Sequence, residues 1–345
     1  MRDDPGLDTA KIAASLQAGY GLDVAAAHYL PIGYDLDAAV YEAVAARGER
    51  YFLKVRFGPV SEPGLEVARA LVDGGIDRVL APLRTRSGGL WWPLEGSAGY
   101  TIVLYPFIEG ENAMVNGMSE EQWRAFGTTL RAVHDSGLGE RFRGRVSVED
   151  FALPSAALVR EMLALTTDTA FESRAAARFA AFWREQAARI DGMLARAEGL
   201  GAQLQRKTFD LVLCHADIHA ANVMVGDDDR IHLIDWDGPK IAPRERDLLF
   251  VIGSRIARPV EAREEAWFFG GYGPVGIDPD ALVYYRYERI IEDIGEIGKS
   301  VILDFTLSEG ARSAAVDLAM ELFVPSGDID RAETIAFDRW PHRPT

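Results

Sequence analysis

The segment His215-Ala216-Asp217-Ile218-His219-Ala220-Ala221-Asn222, with Ile234-Asp235-Trp236-Asp237 farther on, carries the strongest structural and chemical signal in this chain. Asn222 follows Asp217 by five positions, and Asp235 follows Asn222 by thirteen. A phosphoryl transfer site needs one carboxylate to orient the attacking hydroxyl. It also needs an amide oxygen and a second carboxylate to hold Mg2+ on the nucleotide phosphates. Asp217 is therefore the candidate catalytic residue, and Asn222 and Asp235 are the candidate metal ligands.

The residues around this segment predict how it folds. Residues 211–214 form an apolar run that indicates a buried strand leading to Asp217. Two further apolar runs, 223–225 and 231–234, flank the polar residues 226–230 and predict a hairpin. Asp and Asn are common turn formers, and each of these residues alone would be read in that way. Their combined spacing instead favours a single cation site, because the hairpin would bring Asn222 and Asp235, at its two ends, close together.

This motif resembles the signature of the aminoglycoside phosphotransferase and choline kinase superfamily, whose fold is similar to that of protein kinases. The family commonly has Gly at the position of Ala216, a departure that leaves the chemistry intact. The resemblance implies an α+β, two-lobed, kinase-like fold. A small β-rich N-terminal lobe, 1–107, would bind nucleotide. A larger and mainly helical C-terminal lobe, 108–345, would carry the catalytic and substrate-binding residues.

A kinase-like fold requires a lysine on an N-terminal strand to contact the nucleotide phosphates. In the run 51–57 the apolar residues alternate, so Lys54 points to the opposite face of the predicted strand. The chain has five lysines, and a lysine in mid-strand indicates a need for a compact charge. An acid on the next helix would hold this lysine. Glu66 lies within that predicted helix, and Glu62 remains an alternative.

The resemblance also implies where the nucleotide lies. The loop containing Gly33 would cover its phosphates. Residues 101–110 indicate a strand running into the connection between the lobes. There Pro106 would offer a carbonyl oxygen to the base, Ile108 would offer an N–H, and Tyr105 would limit the back of the pocket. The expected cofactors are ATP and Mg2+, with GTP left open as the nucleotide.

Composition agrees with the two-lobed enzyme that the resemblance implies, since 48% of the 345 residues are hydrophobic and the chain can bury a substantial core. The formal net charge of −16 disfavours nucleic acid and anionic membranes as partners, and favours a cationic small molecule or simply high solubility. The single cysteine, Cys214, excludes an internal disulfide. With no signal-peptide core or membrane helix evident, we expect a cytoplasmic protein that is a monomer or a homodimer.

Candidate substrate contacts are the aromatic and acidic residues near the C-terminus. Tyr285, Glu288 and Glu292 fall near one face of a predicted helix and suit an aminocyclitol that bears ammonium groups. An ordinary helix with buried tyrosines and solvated acids would show the same pattern. Asp237 is a further candidate substrate contact.

Within the superfamily, the sequence looks most like the spectinomycin phosphotransferases, which implies an antibiotic kinase that confers resistance. Three alternatives stay open at this point. The chain could be a kinase of choline, methylthioribose or homoserine type, or a kinase of another antibiotic such as a macrolide. It could also be a non-catalytic nucleotide-binding module, which the presence of Lys54, Asp217, Asn222 and Asp235 disfavours.

Overall fold

The computed structural model of the chain describes residues 4–32, 38–58, 60–97, 99–305 and 307–325, together with residues 327, 329, 330 and 332. Gly33, expected to cover the nucleotide phosphates, lies outside the described residues. The chain forms two compact units. The first comprises Met1–Val148, Val212–Ile241 and Glu261–Gly273, and the second comprises the remaining segments Glu149–Leu211, Ala242–Val260 and Pro274–Thr345. The division into lobes at residue 107 stays a prediction.

The elements follow one another in mixed order along the chain. The strands are β1 (Val24–Leu30), β2 (Ala38–Ala45), β3 (Arg50–Arg56), β4 (Trp92–Pro93), β5 (Thr101–Pro106), β6 (Gly110–Asn112), β7 (Ser147–Val148), β8 (Val212–Cys214), β9 (Val223–Gly226), β10 (Ile231–Leu233) and β11 (Lys240–Ala242). The helices are α1 (Thr9–Tyr20), α2 (Glu62–Asp73), α3 (Ala113–Asn116), α4 (Glu120–His134), α5 (Leu138–Phe142), α6 (Ala156–Asp168), α7 (Arg174–Leu204), α8 (Glu245–Leu248), α9 (Ala262–Tyr272), α10 (Pro279–Ile302) and α11 (Glu309–Leu322).

A five-stranded antiparallel sheet forms the N-terminal part of the first unit, with strand order β1-β2-β3-β5-β4. Leu53 and Val55 of β3 are fully buried and belong to the same core cluster as Ile12 and Leu16 of α1. Since side chains alternate along a strand, Lys54 faces away from this core. The structure thus confirms the strand and the alternation predicted around Lys54.

The predicted hairpin is also confirmed. β9 pairs with β10 in antiparallel register, with Val223 opposite Leu233, and β6 pairs with the other edge of β9. The buried strand predicted before Asp217 is β8, which lies at one edge of a small sheet with the order β7-β11-β8. Together these strands place the beginning and the end of the motif at the ends of short, buried elements.

The second unit is mainly helical. Helices α6, α7, α10 and α11 pack around a core that includes Phe179, Trp183 and Tyr287, all fully buried. An antiparallel sheet in the N-terminal part of the chain and helices in the C-terminal part confirm the predicted α+β class. None of the helices in the described ranges is long and apolar enough to cross a membrane.

Candidate active site

The loop after β8 holds Asp217 by contacts of its backbone. Ala216 adopts a left-handed conformation with φ of 71°. The ring of His215 fastens the loop, since its Nε2 donates to the Ile234 carbonyl at 2.8 Å and its Nδ1 accepts from the Asp217 N–H at 3.3 Å. This pair of bonds assigns the proton of the neutral ring to Nε2. The Asp217 carboxylate itself is 44% exposed, with His219 Nε2 at 3.5 Å.

Asn222 joins the start of the motif to its end. Its side-chain amide donates to the Asp217 carbonyl at 2.8 Å, and its own carbonyl accepts from the Ile234 N–H at 3.0 Å. The residue ends a short 3-10 helix, Ala220–Asn222, and is 8% exposed. The hydrogen bond from Nδ2 to Asp217 sets the orientation of the Asn222 side chain. Its Oδ1 therefore lies on the side of the amide group away from the Asp217 carbonyl.

Asp235 lies immediately after the hairpin. It has a left-handed φ of 62°, and its side chain is 47% exposed. The next residue, Trp236, is buried, donates its indole N–H to the Leu233 carbonyl at 3.2 Å, and packs against the His215 ring with 4.5 Å between ring centroids. The buried tryptophan therefore anchors this turn and leaves the carboxylate of Asp235 facing outward.

Lys54 reaches this turn from β3. Its Nζ lies 2.8 Å from Oδ2 of Asp237 and 3.4 Å from Oδ1 of Asp235. Arg56, two positions later on the same strand face, places Nη1 2.8 Å from the same Oδ2 of Asp237. The structure therefore brings together Lys54, Asp235 and Asp237, and it adds Arg56, which the sequence analysis missed. The sequence contained one indication of Arg56: residues two positions apart on a strand lie on the same face, so Arg56 shares the face of Lys54.

Neither acid that was expected to hold Lys54 contacts it in the described structure. Glu66 on α2 lies 2.5 Å from Nη1 of Arg145, and Glu62 accepts a hydrogen bond from the indole of Trp91 at 2.9 Å. Both carboxylates are thus engaged by cationic or polar groups outside the motif, whereas Asp235 and Asp237 are acids that do lie beside Lys54. The predicted ion pair between Glu66 and Lys54 is not formed here.

The segment expected to bind the base comprises the end of β5 and the residues just after it. Tyr105 lies opposite Phe52 of β3, and their rings meet edge to face at 6.2 Å. Burial, reinforced by the negative charges of Asp237 and Asp235, raises the pKa of Tyr105 well above its usual value, so its phenol stays protonated. Pro106 ends β5 opposite Tyr51, and the half-buried Ile108 lies two residues beyond that strand end.

Two cavities lie within the first unit, with volumes of about 410 Å³ and 460 Å³. Glu66 and Arg145 line the first, while Pro106 and Ile108 line the second. Neither of these two cavities is lined by the candidate phosphoryl transfer residues, which are Lys54, Asp217, Asn222 and Asp235. The side chains of Asp217 and Asp235 are partly exposed, by 44% and 47%.

The expected substrate residues of α10 have contrasting environments within the second unit. Tyr285 and Glu288 are buried, with exposures of 0% and 4%. Glu288 forms an ion pair with Arg246, whose guanidinium lies over the Tyr285 ring at 5.4 Å. Burial alone would lower the pKa of Arg246, but the charge of Glu288 raises it.

Glu292 is half-buried, with Arg289 at 3.9 Å. Arg246 was missed because helical periodicity does not reveal which residue covers a helix face.

Comparisons with known proteins show which family the chain resembles. A model of the phosphotransferase enzyme family matches residues 28–282. The crystal structure of spectinomycin phosphotransferase APH(9)-Ia with ADP and spectinomycin gives a TM-score of 0.85 at 30% identity, covering 96% of this chain and 99% of that one. Its AMP-bound complex gives 0.81 at 29% identity, covering 94% and 98%.

More distant structures share the fold alone. Macrolide 2′-phosphotransferase MphH from Brachybacterium faecium gives a TM-score of 0.55 at 19% identity, covering 90% of this chain and 98% of that one. A search of curated proteins found no match. The family match and the structural likeness confirm the kinase-like fold and the predicted enzyme class, a phosphotransferase with an alcohol group as acceptor. This chain belongs to the phosphotransferase enzyme family.

Proposed function

We propose that this enzyme transfers the terminal phosphoryl group of ATP to a hydroxyl of an aminocyclitol antibiotic, and that the acceptor is spectinomycin. The observation that carries the proposal is the likeness, along 96% of the chain, to an enzyme solved with ADP and spectinomycin. The acidic composition is consistent with an acceptor that bears ammonium groups. Phosphorylation would add a bulky anionic group to the drug and give resistance to it.

Asp217 would bind and orient the acceptor hydroxyl. Its carboxylate is partly exposed, while its backbone is fixed by His215 and Asn222. The hydroxyl oxygen forms a bond to the terminal phosphorus as the bond from that phosphorus to the bridging oxygen breaks, and the nucleoside diphosphate leaves. Asp217 accepts the hydroxyl proton late, because a loose transition state needs little early base strength. Positioning is therefore its main contribution.

Asn222 and Asp235 fit an Mg2+ ion, because an amide oxygen and an outward-facing carboxylate are hard oxygen ligands. Mg2+ bound by these residues would offset negative charge on the phosphates. Lys54 adds a compact positive charge from the neighbouring strand and would contact the phosphates directly. The segment with Tyr105, Pro106 and Ile108 would bind the adenine.

Glu292 is the residue of α10 best suited to contact an ammonium group of the acceptor, because its carboxylate is 46% exposed. Tyr285 and Glu288 would support the helix from within the second unit through Arg246. This assignment separates the three predicted substrate residues of α10 into one that binds the acceptor and two that pack.

Turnover of Mg-ATP with a panel of acceptors tests the proposal. The panel contains spectinomycin, kanamycin, hygromycin, a macrolide, choline and methylthioribose, and the product is identified by the mass of one added phosphate. Selective phosphorylation of spectinomycin is the expected result. Turnover with choline or methylthioribose alone would mean that the acceptor is a metabolite and not an antibiotic. Hydrolysis that no acceptor stimulates would contradict the proposed transfer. Replacing ATP by GTP in the same assay measures the nucleotide preference.

A further inference from the structure

Arg56 and Lys54 form one cationic pair on β3. They are two positions apart, so both side chains leave the strand on the face opposite to the core residues Leu53 and Val55. Nζ of Lys54 and Nη1 of Arg56 each lie 2.8 Å from the same oxygen, Oδ2 of Asp237. The two nitrogens are consequently no farther apart than the sum of these two distances. That spacing suits oxygens of neighbouring phosphates in one nucleotide.

The charges around this pair change when a metal ion is bound. In the structure Lys54 also has Asp235 at 3.4 Å, so the carboxylates of Asp235 and Asp237 both lie beside the cationic pair. In the proposed function Asp235 would be a ligand of Mg2+, and the charge of that ion would offset its carboxylate. Lys54 and Arg56 would then add their positive charges to that of Mg2+ beside the phosphates. Arg56 suits this task, since a guanidinium stays charged and can donate to two phosphate oxygens at once.

We infer that Arg56 is a second phosphate-binding residue of the nucleotide site, and that Asp237 positions Arg56 and Lys54 instead of contacting the acceptor. The inference rests on the proposed function, because it assumes that this face of β3 meets a nucleoside triphosphate. Arg56 retains 20% exposure of its side chain and Lys54 retains 13%, so both can meet a bound anion while Asp237 holds them.

Nucleotide binding by Arg56→Gln gives the direct test. Affinities for ATP and for adenosine are measured by calorimetry with no acceptor present, on wild type, Arg56→Gln, Arg56→Lys and the control Arg84→Gln. Arg84 is a half-exposed arginine of the same unit that pairs with Asp73. Arg56→Gln should weaken ATP binding about tenfold and leave adenosine binding unchanged, as expected for one lost charge-assisted contact. Arg56→Lys should recover part of the loss, and Arg84→Gln should bind ATP as wild type does.

Kinetics of Asp237→Asn test the second half of the inference and do not depend on the folding of the arginine variants. The acceptor KM should stay unchanged while kcat falls at least tenfold, because the cations lose the group that positions them. A raised acceptor KM with unchanged kcat would return Asp237 to the acceptor site and overturn this assignment.

The two proposals fail in different ways. ATP binding that is equal in wild type and folded Arg56→Gln would overturn the role of Arg56, even if spectinomycin is phosphorylated. ATP binding that depends on Arg56 in a chain that phosphorylates no member of the acceptor panel would support the role of Arg56 and contradict the proposed acceptor.

Discussion

Gly64 lies so close to Trp236 that a Cβ atom on Gly64 would stand 2.2 Å from the Trp236 carbonyl oxygen and 3.1 Å from that of Asp237. No side chain fits at such distances without movement of the backbone. The first turn of α2 therefore packs directly on the turn that carries Asp235 and Asp237. This contact links the helix after β3 to the proposed metal ligand, although Gly64 has no functional group of its own.

Gly64→Ala should displace this turn and weaken the metal site. The expected result is an increase of about tenfold in the Mg2+ concentration needed for half-maximal turnover, together with a loss of about 1–3 kcal/mol in unfolding free energy from overpacking. Gly238→Ala is the matched control, because a Cβ atom at Gly238 has no neighbour within 4 Å. Equal Mg2+ dependence in the two variants would show that the contact does not control the site.

Ala216→Gly should stabilise the protein. Ala216 adopts φ of 71°, a left-handed conformation that costs an alanine about 1–2 kcal/mol, whereas glycine has no such steric penalty. Since glycine also gains entropy in the unfolded chain, the net increase in unfolding free energy should be about 0.5–1 kcal/mol. Chemical denaturation measures it.

The control for that substitution is Ala188→Gly, at an exposed position within helix α7. It should lower the unfolding free energy by about 1 kcal/mol, the usual cost of glycine in a helix. A loss of stability in both variants would mean that glycine at position 216, which the family commonly has there, relieves no steric cost of the left-handed backbone.

Glu288→Ala and Glu292→Ala should have opposite consequences. Removing Glu288 leaves the buried charge of Arg246 without its carboxylate, and breaking such a pair costs about 3–5 kcal/mol of stability. Removing Glu292, whose side chain is 46% exposed, should change stability by less than about 0.5 kcal/mol. It should nevertheless raise the KM for the acceptor. Thermal unfolding and acceptor titrations separate these effects, and a stable Glu288→Ala protein with a raised acceptor KM would reverse the two assignments.

Glu245→Gln should alter the pH dependence of stability. Burial raises the pKa of Glu245 above the value of about 4.3 that it has in an unfolded chain. Between these two pKa values the folded state binds more protons, so the contribution of Glu245 to stability falls as the pH rises. Gln does not titrate. Its side-chain oxygen can still accept the hydrogen bond that the Asp278 N–H donates to Glu245 at 2.7 Å in the structure.

The stability of Glu245→Gln relative to wild type should therefore increase from pH 4.5 to pH 8. Urea denaturation at several pH values measures this difference. A difference that is constant with pH would show that Glu245 has the same pKa in the folded and unfolded chains.

The parts of the site that the sequence predicts are those set by local geometry. Strand alternation predicts the face of β3 on which Lys54 lies, and a short hairpin returns the chain from Asn222 to Asp235. The partner of Glu66 could not be predicted in this way. Arg145 is distant in sequence and meets Glu66 only in the folded chain. For the same reason, the periodicity of α10 groups its acids but does not show that Arg246 buries Glu288.

The role of Asp217 in transfer is tested most directly by comparing wild type with Asp217→Asn. The measurement is Mg-ATP-dependent phosphorylation of spectinomycin, with ATP affinity determined on the same samples by calorimetry. We expect turnover to fall at least a hundredfold and ATP affinity to stay within about twofold, because positioning and proton acceptance are lost while the phosphate-binding groups remain. Turnover equal to that of wild type would remove Asp217 from the mechanism.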